Sequence, residues 1–286
     1  MTASPSFPDR KTFSLEVFPP KAASPLEPMI AVLRELSELK PDFISVTCGA
    51  NGQGGTRTAE VAEKIITDCK LTAVPHLTCL NLTAAEVLAV LNDYRQRRIT
   101  NLLALRGDSV PGLEPAAVFP HAIDLIRFIK EQTGDEFNIA AACYPEGHLQ
   151  ATSLDDDIHY MKEKEAAGAG KFLSQLFFDN TIFYRFRERT AAAGITAPIE
   201  AGIMPVTSKS QIERMIALCG ASLPQKFRRA IDAYGDDPTA MQDIGIAYAI
   251  DQIADLLAND VDGIHVYTMN NPDVTRKIKD RIQSLL

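Results

Sequence analysis

A repeat of short apolar strands and helical patterns constrains the fold of this chain more than any other feature. Strand-like alternation predicts eight strands, at 13–18, 43–48, 73–79, 101–108, 138–144, 171–178, 199–205 and 263–269. Helical periodicity predicts helices after them, at about 26–39, 58–70, 84–97, 120–133, 153–167, 180–193, 208–220 and 273–285. Eight successive β–α units are typical of a closed parallel barrel, so we predict an α/β fold of the (β/α)8 TIM-barrel type.

One stretch adds to this repeat. Residues 222–258, between the seventh and eighth strands, predict two extra helices before the last strand. No linker or low-complexity segment interrupts the pattern. We therefore expect one barrel domain over residues 1–286, with about 1–12 as an N-terminal lead-in.

Charge and hydropathy argue against several classes of partner. The chain has 29 basic and 37 acidic side chains, a net charge of −8, and no basic run. This argues against nucleic acid or an anionic membrane as the main partner. No apolar stretch reaches the ~20 residues of a membrane helix, and the first residues lack a signal-peptide core. We expect a cytoplasmic protein.

Cysteine and histidine spacing predicts no metal site. The five cysteines are widely spaced without a CxxC pair, and no HxH or HExxH pattern occurs. Metal sites need clustered ligands, so the cysteines are interpreted as reduced thiols. No convincing Ser-His-Asp order is present either, which disfavours acyl transfer.

Polar side chains occur near the C-terminal end of nearly every predicted strand. Parallel barrels carry their active sites at that rim, and polar groups are costly to bury unpaired. The sequence therefore predicts a site at the rim. Its candidate residues are Glu16, Thr47, His76, Arg106, Asp108, Tyr144, Gln175 and Tyr267.

Glu16 is the sharpest single candidate. Alternation in the first strand places Ser14, Glu16 and Phe18 on one face, which we predict to be the barrel interior. A partly desolvated carboxyl at the barrel mouth is expected to have a raised pKa and to donate a proton near neutral pH. The alternative is an ion pair with an Arg or Lys of a neighbouring strand.

The segment Arg106-Gly107-Asp108 ends the fourth strand. Alternation predicts Ala104, Arg106 and Asp108 on the inner face. Arginine offers a rigid fork of donors, aspartate offers an acceptor, and glycine lets a flat ligand approach the backbone. A salt-bridged strand end remains the alternative.

Further candidates follow the fifth strand. Tyr144, His148, Asp157 and Lys164 lie in turn at a strand end, in a loop and along one helix. On spacing alone, Asp157 and Lys164 are also consistent with a charged, solvated helix face.

Two other candidates lie within apolar strands. A lone histidine such as His76 is more often structural than catalytic. Gln175 has a buried amide that needs a donor and an acceptor, which the edge of a heterocyclic ring supplies.

Taken together, motifs at every strand resemble the methylenetetrahydrofolate reductase family. They are SLEVFPPK (14–21), SVTCGAN (45–51), PHLTC (75–79), LALRGD (103–108), YPEGH (144–148), SQLFFD (174–179), GIMPV (202–206) and HVYTMN (265–270). The resemblance, to the short bacterial type, implies a (β/α)8 barrel with bound FAD. It implies reduction of 5,10-methylenetetrahydrofolate to 5-methyltetrahydrofolate, with NAD(P)H or another electron donor.

The resemblance also implies residue roles. Glu16 matches the general acid that opens the folate ring, and Asp108 the aspartate beside flavin and pterin. Positions matching substrate contacts are Glu16, Asp108, Gln175, Gln211, Tyr267 and, where many members have an arginine, Asn271. Positions matching FAD contacts are Thr47, Cys48, Ala50, His76, Arg106, Gly107, Asp108, Ala122, Tyr144, His148, Ala151, Asp157, Tyr160 and Lys164.

Three departures from the family pattern bear on ligand binding. Asn271 replaces the folate-contacting arginine, which predicts weaker binding of the glutamate tail unless Lys277 or Arg276 substitutes. Cys48 stands where a tyrosine is common. Glu163 stands where an arginine often approaches the FAD phosphates.

We predict a flavin-dependent reductase that works by a ping-pong sequence, with hydride passing from donor to FAD and then to folate. Two alternatives remain open at this stage. One is a pterin-binding barrel methyltransferase without flavin; the other is a non-catalytic flavin- or folate-binding subunit of an electron-transfer complex. We expect a homo-oligomer or a subunit of a larger reductase complex.

Overall fold

Eight parallel strands close into a barrel in a computed structural model that describes residues 10–48, 55–108 and 118–286. The strands pair in chain order, and β1 also pairs with β8. They are β1 (Thr12–Val17), β2 (Phe43–Val46), β3 (Thr72–Thr78), β4 (Asn101–Leu105), β5 (Asn138–Cys143), β6 (Ala169–Ser174), β7 (Ile199–Ile203) and β8 (Gly263–Tyr267). The predicted (β/α)8 fold is confirmed.

The helices alternate with the strands as predicted. They are α1 (Glu27–Ser37), α2 (Gly55–Thr67), α3 (Ala84–Gln96), α4 (Ala122–Thr133), α5 (Leu154–Ala166), α6 (Asn180–Ala192), α7 (Lys209–Cys219), α8 (Gln225–Tyr234), α9 (Pro238–Ala258) and α10 (Pro272–Ile282). Helices α8 and α9 are the two extra helices predicted before the last strand. No helix in the described ranges is long and apolar enough to span a bilayer.

Side-chain alternation along the strands separates two apolar regions. Residues such as Leu15, Ile44 and Leu102 face outward and pack under the helices in the main core. The barrel interior is apolar only on the side of β2 to β6, where a small buried cluster lies. Its members are Phe43, Val74, Leu103, Ala140 and Leu173. Burial of both faces explains why these strands read as nearly continuous apolar runs.

The other side of the interior is polar. Thr12, Ser14, Lys171, Glu200 and His265 are all buried there, with no more than 1% of each residue exposed. They come from β1, β6, β7 and β8. Polar groups this deep must be hydrogen-bonded, so they specify each other's orientation.

A second hydrophobic core lies over the ends of β6 and β7. It joins the segments after these strands to α7, α8 and α9 through Leu176, Phe178, Met204, Val206, Ile212, Ala221, Phe227, Ile231 and Met241. Helix α9 approaches very closely at Gly245, where a Cβ would lie 1.6 Å from the carbonyl oxygen of Val206. The extra helices are therefore held against the rim of the barrel.

This close approach generates a stability prediction. Gly245→Ala is expected to lower the free energy of unfolding by about 1–3 kcal/mol, because the methyl group overlaps backbone that must shift. Gly170→Ala is the control, since nothing lies within 4 Å of a Cβ there. Urea unfolding of both variants measures the difference, and equal stabilities would contradict the close contact.

Candidate active site

A cleft of about 200 Å³ opens at the C-terminal ends of β2 to β5. Many of the residues that were predicted at strand ends line this cleft. Its wall consists of Cys48, His76, Thr78, Leu80, Asn81, Leu105, Arg106, Gly107, Asp108, Tyr144 and His148. The cleft therefore contains a carboxylate, a guanidinium group, two imidazoles and a phenol on one side of the barrel mouth.

A groove of about 430 Å³ continues from this cleft. It runs outward over β4 and β5 between α4 and α5, and its predicted residues include Ala122, Ala151, Asp157, Tyr160 and Lys164. Both depressions share Leu105, Arg106, Tyr144 and His148. Together they form one elongated site that leads from the barrel mouth to the outer helices.

Glu16 lies at the barrel mouth between two histidines. Its Oε2 is 3.5 Å from Nε2 of His265 and 3.4 Å from Nε2 of His76. Ser45 Oγ also donates to this oxygen at 3.4 Å. The His76 nitrogen is within reach but is not aligned for a hydrogen bond. The predicted inward orientation of Glu16 is confirmed.

The expected rise in the pKa of Glu16 is wrong. Burial raises the pKa of this carboxyl, but the hydrogen bond to His265 and the charges of His265 and His76 outweigh burial and lower it to about 2. The predicted alternative, a pair with Arg or Lys, is also absent from the described contacts of Glu16. Alternation along β1 predicted that the carboxyl is buried. It could not predict the two histidines, because they come from other strands that the closed barrel brings beside Glu16.

His265 is a site residue that the sequence analysis missed. Its Nδ1 lies 2.7 Å from Ser14 Oγ, and its ring is fully buried. The available signal was alternation in the last strand, where His265 and Tyr267 fall on one face. Of the two histidines beside Glu16, only His76 was among the candidates predicted from the sequence.

The fifth strand supplies the boundary between cleft and groove. The rings of Tyr144 and His148 meet edge to face at 4.8 Å. Burial is the main cause that raises the pKa of Tyr144 to about 12. Asp157 accepts a hydrogen bond from the backbone N–H of His148, so this loop is tied to α5.

Lys164 points into the groove rather than into solvent. Its Nζ donates to the carbonyl oxygen of Ala142 at 3.1 Å, and burial lowers its pKa. Asp157, two turns earlier on α5, is likewise half-buried and hydrogen-bonded. The alternative of a solvated helix face is therefore wrong for both residues.

The segment after β4 differs from the sequence prediction in orientation. Leu103 and Leu105 face the interior, whereas Ala104 packs outward in the main core. The strand ends at Leu105, so Arg106 and Asp108 lie beyond the alternation that was used to place them. Both still line the cleft.

Gly107 has a structural requirement for glycine. Its φ is +82°, and a Cβ there would lie 2.9 Å from Cβ of Thr78. Thr78 in turn directs its hydroxyl to Cys48 Sγ at 3.9 Å. The floor of the cleft is therefore packed too closely for any larger residue at position 107.

Gln175 and Tyr267 lie across the mouth from the cleft. The Tyr267 hydroxyl donates to the carbonyl oxygen of Ser174 at 2.7 Å, which joins β8 to the end of β6. The Gln175 Oε1 accepts from the N–H of Leu176 at 2.8 Å. The amide nitrogen of Gln175 has no partner among the described residues, so it is available to a ligand.

Gln211 and Asn271 both have local structural partners. Gln211 Oε1 accepts from the N–H of Thr207 at 2.9 Å. Asn271 caps α10, because its Oδ1 accepts from the N–H of Val274 at 3.1 Å. The suggested substitutes for the missing arginine lie on the same helix: Arg276 pairs with Glu38, and Lys277 is exposed.

The remaining predicted residues fall as follows. Thr47 follows β2 directly, and its carbonyl oxygen accepts a hydrogen bond from the Thr58 hydroxyl at 3.0 Å. Ala50 lies outside the described residues. Glu163 approaches Arg127 at 3.9 Å on the exterior of α5.

Two further residues of the site were not predicted. The ring of His121 stacks on that of Tyr160 at 6.0 Å in the groove. Asn81 lines the cleft, and its Oδ1 is buried without a hydrogen-bond partner in the described part of the chain. Both lie in loops, where strand and helix patterns give no signal. An unpaired buried acceptor indicates a missing donor, which a ligand can supply.

Comparison with known sequences gives one consistent family. A family model described as methylenetetrahydrofolate reductase matches residues 4–283. The 5,10-methylenetetrahydrofolate reductase of Escherichia coli K12 is 34% identical over 265 residues, which cover 93% of this chain and 88% of that protein. A rice protein named probable methylenetetrahydrofolate reductase (NADH) is 32% identical, but the match covers only 46% of its length.

Comparison with solved structures supports the barrel fold alone. An uncharacterized Clostridium thermocellum protein, described as binding two copies of 5-methyl-5,6,7,8-tetrahydrofolic acid, has a TM-score of 0.65 at 13% identity, covering 96% of each chain. Xanthomonas albilineans dihydropteroate synthase has a TM-score of 0.53 at 13% identity, covering 97% of this chain and 93% of its own.

The cap at α10 generates a second prediction. Asn271→Ala is expected to lower the free energy of unfolding by about 1 kcal/mol, because the N–H of Val274 loses its side-chain acceptor. Asn271→Asp keeps the acceptor and is expected to retain wild-type stability. Chemical denaturation separates the two variants. If the alanine variant is as stable as the aspartate variant, Asn271 does not act as a cap in solution.

Proposed function

The chain belongs to the methylenetetrahydrofolate reductase family of oxidoreductases, and we propose that it reduces 5,10-methylenetetrahydrofolate by hydride transfer through bound FAD. The observation that carries this proposal is the position of Glu16. Its carboxyl lies at the barrel mouth beside two histidines, one of which, His76, lines the elongated cleft and groove.

The described residues fit FAD, a long molecule with a flat ring and an anionic pyrophosphate. The cleft offers a flat ring the unpaired Oδ1 of Asn81 and the close backbone at Gly107. Arg106 and Lys164 place two cations along the groove, where a pyrophosphate would lie. The stacked rings of His121 and Tyr160 offer a surface for the adenine.

FAD, when bound, supplies the hydride chemistry. The protein residues supply binding, orientation and a proton. Asp108 lines the cleft and is exposed, so its carboxylate would be near a ring system bound there. A fixed negative charge there favours the oxidised over the more electron-rich reduced ring, and so favours hydride donation to the substrate.

Glu16 delivers the proton that the folate needs. Protonation of N10 accompanies cleavage of its bond to the methylene carbon, and the N5 iminium carbon then accepts a hydride. One proton and one hydride together give a methyl group on N5 and a hydrogen on N10. Because the pKa of Glu16 is lowered to about 2, this carboxyl is ionised at neutral pH and needs a neighbour that carries the proton. His265 Nε2, at 3.5 Å, is placed to do so.

The opposite wall of the mouth orients the pterin. The free amide nitrogen of Gln175 donates to the ring edge, while Tyr267 holds the adjoining β6 end in place through the carbonyl oxygen of Ser174. A pterin bound between this wall and the flavin cleft would lie over the barrel mouth, where Glu16 is.

The electron donor uses the same cleft before folate does. The rice relative carries NADH in its name, and we take NADH as the donor of this chain. Because one cleft serves donor and folate, the donor product leaves before folate binds, which gives a ping-pong sequence.

The FAD assignment makes a direct prediction. The purified chain should be yellow and hold one FAD, and Lys164→Ala should weaken FAD binding about tenfold, if loss of one charge-assisted hydrogen bond costs ~1.4 kcal/mol. Lys162→Ala is the matched control, because Lys162 also lies on α5 but donates to Ala193 on the exposed side. Fluorescence titration of the apoprotein measures both. A chain that stays colourless after reconstitution with FAD contradicts the assignment.

The acid role makes a separate prediction. Glu16→Gln keeps the shape of the side chain but removes the carboxylate that receives the proton from His265 and passes it on, so reduction of methylenetetrahydrofolate should fall about 100-fold or more. Reduction of FAD by NADH should persist, because that half-reaction needs no acid. Stopped-flow absorbance resolves the two half-reactions. Near-normal folate reduction in this variant would show that another group supplies the proton.

A further inference from the structure

A row of polar residues runs through the barrel interior from its closed end to its mouth. We call this row the interior network: Lys171, Glu200, Thr12, Ser14, His265 and Glu16. The first five members are fully buried, whereas 17% of the Glu16 side chain is exposed. The reaction described above uses only Glu16 and His265, so the deeper members have no assigned role.

Glu200 is the anionic centre of the interior network. Lys171 Nζ lies 2.6 Å from its Oε1, and the Thr12 hydroxyl donates to the same oxygen. The Ser14 hydroxyl donates to Oε2. Each Glu200 oxygen faces a donor, an ammonium or a hydroxyl group, so this carboxylate accepts all of these hydrogen bonds.

The direction of these bonds fixes the proton positions on His265. Ser14 has one hydroxyl proton, and Glu200 takes it. At 2.7 Å from Nδ1 of His265, the Ser14 oxygen can therefore only accept, so Nδ1 carries a proton. Neutral His265 then has its lone pair on Nε2, the nitrogen that faces Glu16.

With its lone pair on Nε2, neutral His265 presents a hydrogen-bond acceptor to the Glu16 carboxylate, which is also an acceptor. Nε2 and Glu16 Oε2 face each other at 3.5 Å. Ser45 Oγ lies 3.4 Å from both atoms, but its single proton satisfies only one of them. One additional proton is needed to bridge the histidine and the carboxylate. That proton is the one the folate can take.

We propose that Glu200, held by Lys171, is a positioning residue for proton delivery: it directs the Ser14 hydroxyl, fixes the tautomer of His265 and so makes His265 Nε2 and Glu16 share one transferable proton. The inference rests on the proposed function, because it assigns a purpose to that proton. On transfer, the bond from the shared proton to His265 or Glu16 breaks as the N–H bond at folate N10 forms. The pair regains a proton from water.

Other titratable groups near His265 do not supply this proton. His76 on β3 faces Glu16 rather than His265 and is not aligned for a hydrogen bond. The Tyr267 ring on β8 meets His265 edge to face at 5.4 Å, while its hydroxyl donates to Ser174. Lys171 on β6 is engaged by Glu200 on β7. At Nδ1 of His265, the hydrogen-bond partner within the described residues is Ser14.

The tautomer can be observed without any substrate. Nitrogen-15 NMR of the FAD-loaded, histidine-labelled full chain distinguishes a protonated Nδ1 from a protonated Nε2, and His265→Asn identifies the signal among the five histidines. The expected neutral form of His265 carries its proton on Nδ1. A neutral form with the proton on Nε2 would overturn the proposal.

Two variants and one control test the origin of the tautomer. The double change Lys171→Met with Glu200→Gln removes both buried charges together, which proteins often tolerate better than the loss of one partner. Ser14→Ala leaves that ion pair intact but cuts the link to His265. Thr12→Val is the matched control, because it removes the other β1 hydroxyl that bonds Glu200 and leaves the Ser14 path unchanged.

In the double variant and in Ser14→Ala, the proton of neutral His265 should no longer be confined to Nδ1. The folate half-reaction should slow about tenfold or more and its pH profile should shift, while flavin reduction by NADH stays unchanged. Thr12→Val should keep the wild-type tautomer, because Ser14 still donates to Glu200. Folded variants with an unaltered tautomer, or with an unaltered folate rate and pH profile, would overturn the role of Glu200. Wild-type chain that takes hydride from NADH but never reduces folate would instead overturn the proposed function.

Discussion

Pairing between the first and last strands holds the site together. The register of β1 on β8 sets Ser14 opposite His265 and Glu16 opposite Tyr267. Without this closure, Glu16 would lose the hydrogen bond and the charge of His265, and its pKa would rise. With closure, a histidine from the far end of the chain reaches the carboxyl, and the pKa falls to about 2. The same backbone hydrogen bonds that complete the fold therefore set the ionisation of the candidate acid.

The barrel interior divides between packing and polarity. The side from β2 to β6 is filled by Phe43, Val74 and Leu103 with their neighbours, and it stabilises by excluding water. The side from β6 to β1 carries a buried ion pair. The free-energy cost of desolvating its two charges offsets much of the attraction between them. Hydroxyls complete the hydrogen bonds of Glu200, so the pair is tolerated. Because of this ion pair, each hydroxyl in the row below Glu16 donates in one fixed direction.

Local patterns predicted much of the site, and their failures have physical reasons. The residues after β5, such as Tyr144 and Lys164, follow one strand and its helix, but spacing alone left Lys164 consistent with a solvated face, and the family resemblance assigned it to the site. Ala104 was assigned to the wrong face because alternation was counted from beyond the strand end at Leu105. For Asn271, the sequence predicted only weaker folate binding than an arginine would give. Its observed contact is a helix cap.

The sequence by itself determined the barrel, its extra helices and the rim that carries the polar residues, because strand alternation and helical periodicity are local properties of the chain. It also placed Glu16 in the interior. Only the tertiary structure decided which polar groups meet. His265 reaches Glu16, and Lys171 reaches Glu200, across strands far apart in sequence. Protonation depends on those through-space neighbours, so the chemistry of Glu16 is a property of the closed barrel and not of its own strand.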